Sequence, residues 1–271
     1  ITLTGASEMI PIKSFGLWHS RYYDYQQQEA LDLIDKYRQE GFPLDYFVVD
    51  TDWRVGASHG YEINTRSWPD MQGFLDEAHE EKNVNIVFND HPEPVNNQHA
   101  LTKEDLNYRH ENLRRLLDMG LDAWWFDRNW SVTIRTPFNG ISKESFGMYL
   151  YQDITRSERP DQRPMIMGNV DGIDNGAFNR APNIASHRFS IQWTGDTHQQ
   201  PADLKQEIVN AVRTGANTAT AYVSTDVGGH NGVLTNEMWA RWTQFAALSP
   251  FMRYHGTAGA NLDRSPWLYG D

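Results

Sequence analysis

Eight short apolar segments alternate with amphipathic segments along this chain, and no other feature limits the possible fold as strongly. The apolar segments are 15–20, 45–53, 84–90, 122–127, 164–170, 188–193, 218–226 and 250–255. Strands that alternate with helices are typical of a parallel sheet, because each helix returns the chain to the same edge. Eight strands predict a (β/α)8 TIM barrel. An open doubly wound sheet is the alternative, since the number and order of strands do not prove closure.

The segments between the strands carry apolar residues at the spacing of an α-helix. These positions are Leu31, Ile34, Tyr37, Phe74, Leu75, Ala78, Leu106, Leu113, Leu117, Phe146, Leu150, Ile154, Leu204, Ile208, Ala211, Val212, Met238, Trp242 and Phe245. The spacing predicts that each set lies on one face of its helix. Pro201 near one start, and Gly41, Gly120 and Gly215 just past three ends, indicate helix boundaries.

The chain is predicted to form one domain over residues 1–271. This length suits a single α/β barrel, and no linker-like or repetitive segment divides it. The sequence stops soon after the eighth strand, before a clear last helix. We therefore expect a fragment of a longer protein that also contains that helix and flanking β-rich domains.

The composition excludes several classes of function. A net charge of −12, from 36 acidic and 24 basic residues, would repel a phosphate backbone, so no nucleic-acid partner is expected. No apolar run is long enough to span a membrane, and no leader-like segment is visible, so no membrane partner is expected. The absence of cysteine excludes disulfides and thiolate chemistry. The compartment stays open between extracytoplasmic and cytoplasmic.

Asp and His residues stand at the carboxyl ends of most predicted strands. They are Asp50, Asp52, Asp90, His91, Asp127, Asp196, Asp226 and His255. Active sites of (β/α)8 barrels lie at this end of the strands, so the pattern predicts a polar site there. Each acid taken alone is also compatible with a helix cap or a solvated loop group.

Two of these carboxylates have surroundings that suit glycoside cleavage. Retaining glycosidases use two carboxyl groups about 5–5.5 Å apart, one attacking the anomeric carbon and one protonating the leaving oxygen. Asp127 ends an apolar strand, and Asp196 follows Trp193 and Gly195, which allows a tight turn. An apolar neighbour raises the pKa of a carboxyl group, as an acid catalyst requires.

Two other classes of function fit the same residues less well. Asp and His residues on barrel strands also build zinc and two-metal hydrolase sites, but the chain has no HxH or HExxH pair. A non-catalytic carbohydrate-binding barrel would keep its aromatic residues and lose one carboxylate, whereas this chain has both. We therefore predict neither a metal nor a cofactor.

Five motifs occur in order along the chain. They are DYFVVDTDW at 45–53, DAWWFDRN at 122–129, RFSIQWTGDT at 188–197, TDVGGHNG at 225–232 and RWTQFAALSPFMRYH at 241–255. Together they resemble glycoside hydrolase family 31, the α-glucosidase and α-xylosidase family, over essentially the whole chain. The resemblance implies a catalytic (β/α)8 barrel. It implies that Asp127 is the nucleophile and Asp196 the general acid/base.

The same resemblance implies the substrate contacts. We expect them from Asp50, Arg180, Trp193, His255, Trp125, Asp226, Arg128 and Trp18. Asp50 and His255 would bind hydroxyl groups of the sugar in subsite −1. Trp18, Tyr22, Tyr23 and Trp130 are candidates for the positive subsites, or equally for packing.

The chain departs from the family pattern near the expected site. Arg128 and Trp130 stand in RNW, where the family has M-N-E, and His230 replaces a common aromatic residue. The family's arginine after strand 5 corresponds to Asn169 or Arg180, depending on the direction of counting. We predict Arg180, with an insertion within 169–187.

The residues and the resemblance predict a retaining α-glycoside hydrolase acting on an α-linked oligosaccharide through a covalent β-glycosyl-enzyme. Glucose is the first choice in subsite −1. The departures keep α-galactosidase, α-N-acetylhexosaminidase and α-transglycosylase as alternatives, and hydrolysis and transglycosylation use the same two carboxylates.

Overall fold

The computed structural model describes residues 5–56, 60–91, 102–127, 143–169, 173–174, 177–178 and 186–270 of the chain. The strands are β1 (Leu17–Arg21), β2 (Tyr46–Val49), β3 (Asn85–Asp90), β4 (Ala123–Phe126), β5 (Ile166–Gly168), β6 (Ile173–Asp174), β7 (Ala177–Phe178), β8 (Ile191–Trp193), β9 (Val223–Ser224) and β10 (Met252–Gly256). All except β6 and β7 overlap a predicted segment. The short antiparallel pair β6–β7 falls in the predicted insertion.

Eight parallel strands form a nearly closed barrel. Their order is β10-β1-β2-β3-β4-β5-β8-β9, so each strand pairs with the next barrel strand along the chain. The two ends of the sheet meet at a parallel bridge between Val227 and Tyr254. There, Val227 N–H donates to Arg253 O at 3.1 Å. The predicted (β/α)8 architecture is confirmed, and the open-sheet alternative is wrong.

Six α-helices accompany the strands in the described parts of the chain. They are α1 (Gln27–Gln39), α2 (Met71–Asp76), α3 (Lys103–Asp118), α4 (Lys143–Glu158), α5 (Pro201–Thr218) and α6 (Asn236–Ala246). Asp70, Thr102 and Thr235 cap α2, α3 and α6, each accepting a hydrogen bond from a backbone N–H in the first turn. None of the helices in the described ranges has both the length and the apolar character that a bilayer crossing needs.

The core has two parts, which the alternation of side chains along each strand separates. The barrel interior contains Trp18, Tyr46, Val48, Val87, Ala123, Trp125, Met167, Ile191 and Trp193. The layer between the barrel and the helices contains Phe47, Val49, Ile86, Phe88, Trp124, Phe126 and Ile166. The same alternation decides whether the polar residues at the strand ends point into the barrel or toward the helices.

Helix α5 turns a different face to the barrel than its apolar spacing predicts. Ile208 and Val212 are 46% and 68% exposed, whereas Glu207, Asn210 and Thr214 are buried. Two polar residues of the buried face are hydrogen-bonded to each other, since Asn210 Nδ2 donates to Glu207 Oε1 at 3.2 Å. Burial raises the pKa of Glu207 to about 8, which favours the uncharged acid at neutral pH. The predicted burial is wrong for Ile208 and Val212, whereas Leu204 is buried as predicted.

Candidate active site

Three polar side chains from adjacent strands meet at the mouth of the barrel. Asp50 follows β2, Asn89 is the next-to-last residue of β3, and Asp127 follows β4. Each stands two residues after an inward-facing core residue, so the strand alternation points all three inward. All three are buried. Two of the sequence-predicted residues, Asp50 and Asp127, are therefore close neighbours.

Asn89 connects the two carboxylates. Its side-chain amide donates to Asp50 Oδ1 at 2.9 Å and to Asp127 Oδ2 at 2.9 Å. One amide group carries two N–H bonds, so it can serve both acceptors at once. Asn89 is not ionisable and was not among the predicted site residues, although its inward position follows from the strand pattern. Asn89 fixes the orientation of the predicted nucleophile.

His91 contacts the same carboxylate oxygen of Asp127 as Asn89 does. Its Nε2 is 3.2 Å from Asp127 Oδ2. Burial lowers the pKa of the His91 imidazole, but the charge and hydrogen bond of Asp127 outweigh burial, so the pKa lies above its ordinary value. The protonated imidazole stabilises the ionised form of Asp127, which is the form that a nucleophile needs.

The pairing of His91 predicts a pH dependence of stability. A histidine whose pKa is raised by folding stabilises the fold below its unfolded pKa of about 6.5, and this contribution is lost as the pH rises through the raised value. We expect His91→Asn to lower the free energy of unfolding more at pH 6 than at pH 9, measured by urea denaturation. His110→Asn, at an exposed site on α3, is the control and should show no such trend. A stability loss in His91→Asn that becomes larger as the pH rises would contradict the pairing of His91 with Asp127.

Asp50 is a buried carboxyl group beside a second one. Its Oδ1 accepts from Thr51 N–H at 2.8 Å and from Asn89. Burial raises the pKa of Asp50 well above its ordinary value, and the charge of Asp127 raises it further. This is a costly environment for a carboxylate, because two like charges share one buried site.

Asp50→Asn is expected to separate stability from activity. The asparagine oxygen keeps both accepted hydrogen bonds and removes the like-charge repulsion, so the free energy of unfolding should stay within about 1 kcal/mol of wild type or rise. Loss of a charged hydrogen bond to a sugar hydroxyl should cost about 2 kcal/mol, or roughly 30-fold in kcat/KM. Urea denaturation and an aryl glycoside assay measure the two quantities. A destabilised but fully active variant would show that Asp50 only supports the fold.

A second polar cluster lies at the ends of β9, β10 and β1. Ser20 Oγ is 2.7 Å from His255 Nδ1, and His230 Nδ1 is 2.8 Å from His255 Nε2. Burial lowers the pKa of His255 well below its ordinary value, and the charge of Arg253 lowers it further, so His255 is neutral at neutral pH. A neutral imidazole held at one nitrogen has a defined tautomer for ligand binding.

Asp226 is held in this cluster by a buried ion pair. Arg253 donates to Asp226 Oδ1, and the Trp193 indole N–H donates to the same oxygen at 2.8 Å. Arg253 also donates to Ser20 Oγ at 3.3 Å. Arg253 lies in the motif at 241–255 but was not among the predicted site residues. Arg253 connects Asp226 with Ser20 inside the cluster.

Trp125 lies between the two groups of polar residues. Its ring packs edge-on against Trp193 at 4.9 Å and against His255 at 5.1 Å between centroids. The guanidinium of Arg253 lies 4.8 Å from the centroid of the Trp125 ring. Trp125 directly precedes Phe126 and Asp127, so it forms part of the floor beneath the predicted nucleophile.

Asp196 stands on a loop beside the second cluster. Gly195 before it has φ +85°, a left-handed conformation that glycine adopts without strain, as the predicted tight turn requires. The loop after β8 pairs with the loop that carries His230, through Asn231 N–H donating to Thr197 O at 3.0 Å. Asp196 is half-buried, in contrast to Asp127. The predicted acid/base thus comes from the β8 side of the mouth.

The remaining predicted site residues lie either inside the barrel, at its mouth or outside the described part of the chain. Trp18 is buried near the amino end of the barrel, where its indole donates to Ser14 O at 2.9 Å and stacks on Tyr46. This burial fits the packing alternative for Trp18, and its sugar contact stays a prediction. Asn169 is buried directly after β5, at the mouth. Arg128, Trp130 and Arg180 lie outside the described residues, so their roles stay predictions.

Asp90 stands at a strand end like the predicted site residues, but its side chain has a structural role. It follows Asn89 directly, so it points outward toward the helices. It forms a buried ion pair with Arg54 and accepts a hydrogen bond from the Tyr151 hydroxyl of α4. Arg54 also donates to His91 O at 3.0 Å, which connects this pair to the site.

The structure describes three of the four aromatic candidates for the positive subsites, namely Trp18, Tyr22 and Tyr23. Of these three, Tyr22 is the exposed one. It follows β1 at the mouth and is 44% exposed. Tyr23 instead packs under the guanidinium of Arg21 and against Tyr25. Tyr22 therefore remains a candidate for stacking on a sugar beyond subsite −1.

The barrel and the carboxylates at its mouth define the class as a (β/α)8 barrel with a carboxylate-based site. The chain belongs to glycosyl hydrolase family 31. Residues 7–112 and 99–271 match the TIM-barrel domain of that family. The predicted family is confirmed.

Curated relatives agree with this assignment. The chain is 21% identical to an α-xylosidase of Emericella nidulans, over 99% of this chain and 38% of the relative. It is 25% identical to the α-xylosidase XylQ of Lactiplantibacillus pentosus, over 99% of this chain and 40% of the relative. The α subunit of glucosidase 2 of Schizosaccharomyces pombe is 21% identical over 99% of this chain and 34% of the relative. The chain thus spans about two fifths of these relatives or less.

Solved structures share the fold. The cycloalternan-degrading enzyme of Trueperella pyogenes, in complex with cycloalternan, superposes with a TM-score of 0.78 at 18% identity, covering 99% of this chain and 45% of that one. The cycloalternan-forming enzyme of Listeria monocytogenes, in complex with a pentasaccharide substrate, gives a TM-score of 0.79 at 17% identity, covering 99% and 31%. At these identities the comparison establishes the fold.

Proposed function

We propose that this chain is the catalytic barrel of a retaining α-glycosidase that acts on α-linked oligosaccharides, with an α-glucosidase as the first choice. One observation carries the proposal: five of the buried polar atoms that have no hydrogen-bond partner in the described part of the chain belong to the two polar clusters at the barrel mouth and to Trp125 between them. They are Asp50 Oδ2, Asn89 Oδ1, His91 Nδ1, Trp125 Nε1 and Asp226 Oδ2. Buried polar groups normally have partners, so such a group indicates a polar ligand.

A sugar ring matches this set of atoms. Its hydroxyl groups both donate and accept, so they can pair with the carboxylate and amide oxygens and also with the indole N–H. Trp125 adds an apolar surface at the floor, which suits the C–H bonds of a pyranose. A site built for particular hydroxyl groups discriminates strongly against analogues that lack them.

The proposed reaction uses Asp127 and Asp196. Asp127 attacks the anomeric carbon while Asp196 gives its proton to the departing glycosidic oxygen, which leaves a β-linked glycosyl-enzyme. Asp196 then removes a proton from water as that water attacks the same carbon and releases Asp127. Two inversions return the α configuration. Asn89 and His91 serve by orienting Asp127 and keeping it ionised before attack.

The relatives support the class of substrate. Their names describe α-xylosidases and a glucosidase, and the structural neighbours bind cycloalternan or an oligosaccharide. Glucose and xylose are therefore the first sugars to compare in subsite −1, with galactose and N-acetylhexosamine as the alternatives that the sequence departures keep open. Transglycosylation is the second candidate function, because exposed Tyr22 at the rim could hold a sugar acceptor.

A panel of p-nitrophenyl α-glycosides tests the proposal. We expect release of p-nitrophenol from the α-glucoside with the highest kcat/KM and no turnover of the matching β-glucoside. Adding glucose or maltose as acceptor separates the two candidates, since a transglycosylase would form a longer oligosaccharide and a hydrolase would form free glucose. The absence of turnover with every α-glycoside of the panel would contradict the proposed function.

A further inference from the structure

Three groups with metal-ligand chemistry lie together at the carboxyl ends of β9 and β10. A carboxylate oxygen of Asp226 and one ring nitrogen each of His230 and His255 all lie within 4.8 Å of one another. Imidazole nitrogen and carboxylate oxygen are ligands that Zn2+ takes in proteins. Asp226 and His230 come from the segment after β9 and His255 from β10, so no short spacing motif in the sequence contains all three.

Asp226 offers a buried oxygen without a partner. Its Oδ1 accepts from Trp193 and Arg253, while Oδ2 has no hydrogen-bond partner within the described ranges. Asp226 is fully buried, so this oxygen is also without bulk water. Leaving it unsatisfied is costly, and a cation would satisfy it. Trp193 and Arg253 orient the carboxylate, as outer partners of metal ligands do.

His255 is oriented in the same manner. Ser20 Oγ holds its Nδ1 at 2.7 Å, which directs Nε2 toward His230 Nδ1 at 2.8 Å. Metal-binding histidines are usually fixed by a hydrogen bond at the other ring nitrogen. His230 is only partly buried, so rotation of its side chain can adjust the ligand spacing. A tetrahedral ion with bonds of about 2.0–2.1 Å needs its ligand atoms about 3.3 Å apart.

We propose that Asp226, His230 and His255 bind a Zn2+ ion at the mouth of the barrel. Three protein ligands leave a fourth position open, as in accessible rather than structural zinc sites. Because His255 also belongs to the proposed sugar subsite, the bound ion excludes the sugar. Zn2+ therefore acts as an inhibitor that competes with substrate, and this second statement rests on the proposed function.

Co2+ is the probe for the site itself, because its visible absorption is intense in four- or five-coordinate protein sites and weak in water. Titration of chelator-treated protein with Co2+ should produce an intense band that saturates at one ion per chain and disappears when Zn2+ is added. His230→Gln should lose the band, and His110→Gln, exposed on α3, should keep it. Thermal melting checks that both variants are folded. If His230→Gln does not fold, His230→Phe takes its place in the cobalt titration.

A kinetic experiment tests the competition. Zn2+ should raise KM for the aryl α-glycoside without changing kcat, and in His230→Gln it should inhibit at least about tenfold more weakly. A wild-type protein without the cobalt band, or a His230→Gln variant that keeps it, would overturn the metal site. A His230-dependent band without any rise in KM would support the metal site and contradict the placement of His255 in the sugar subsite.

Discussion

Asp127→Ala is expected to lower kcat for an aryl α-glucoside by about 10⁴-fold, roughly 5 kcal/mol of transition-state stabilisation. The variant lacks the group that forms the covalent intermediate, while Asn89 and His91 lose a partner but remain near the barrel mouth. Steady-state kinetics measures the loss, and thermal melting checks the fold. Asp153→Asn, at an exposed site on α4, is the matched control and should retain wild-type kcat.

Azide distinguishes the roles of the two carboxylates. In Asp127→Ala, azide can occupy the space of the lost carboxylate and displace the leaving group once, so the expected product is the β-glycosyl azide. In Asp196→Ala, the glycosyl-enzyme still forms from a substrate with a good leaving group, and azide attacks it from the opposite face, which gives the α-glycosyl azide. The reverse pair of products would exchange the two assignments. Normal turnover by the Asp127→Ala variant would show that Asp127 is not the nucleophile.

Arg54→Met is expected to destabilise the protein by about 3–5 kcal/mol. The substitution leaves Asp90 buried without its ion-pair partner, while the Tyr151 hydroxyl still donates to its carboxylate. A buried unpaired carboxylate pays a desolvation cost that Tyr151 does not offset. Urea denaturation followed by tryptophan fluorescence measures the change.

Arg156→Met is the matched control for this prediction. Arg156 pairs with Glu8, but its side chain is 49% exposed, so solvent screens the pair and its loss should cost at most about 1 kcal/mol. Equal stability losses in the two variants would contradict the structural role of the Arg54–Asp90 pair. A large loss of activity in Arg54→Met at unchanged stability would instead move Asp90 into the active site.

The contrast between Asp90 and Asp127 shows how far the sequence predicts the site. Both follow or end apolar strands, and both were candidates on that ground. The alternation along the strand separates them, because Asp127 continues the inward series of Trp125, whereas Asp90 continues the outward series of Phe88. This information was in the sequence, and applying it strictly would also have indicated Asn89.

Other features could not be predicted from local pattern. Arg253 pairs with Asp226 across 27 positions, so only the closed barrel brings the two together. Helix α5 buries Glu207 and Asn210, which are hydrogen-bonded to each other, and exposes Ile208. Apolar periodicity assumes that polar groups prefer water, and a buried polar pair reverses this preference.

The anomeric form of the first product tests the central proposal most directly. Proton NMR can follow the anomeric signals of the sugar released from p-nitrophenyl α-glucoside before mutarotation mixes the two forms. Double displacement through Asp127 predicts that the α-anomer appears first and the β-anomer accumulates only later. A β-anomer as the first product would require a single displacement by water, and it would contradict the assignment of Asp127 as nucleophile.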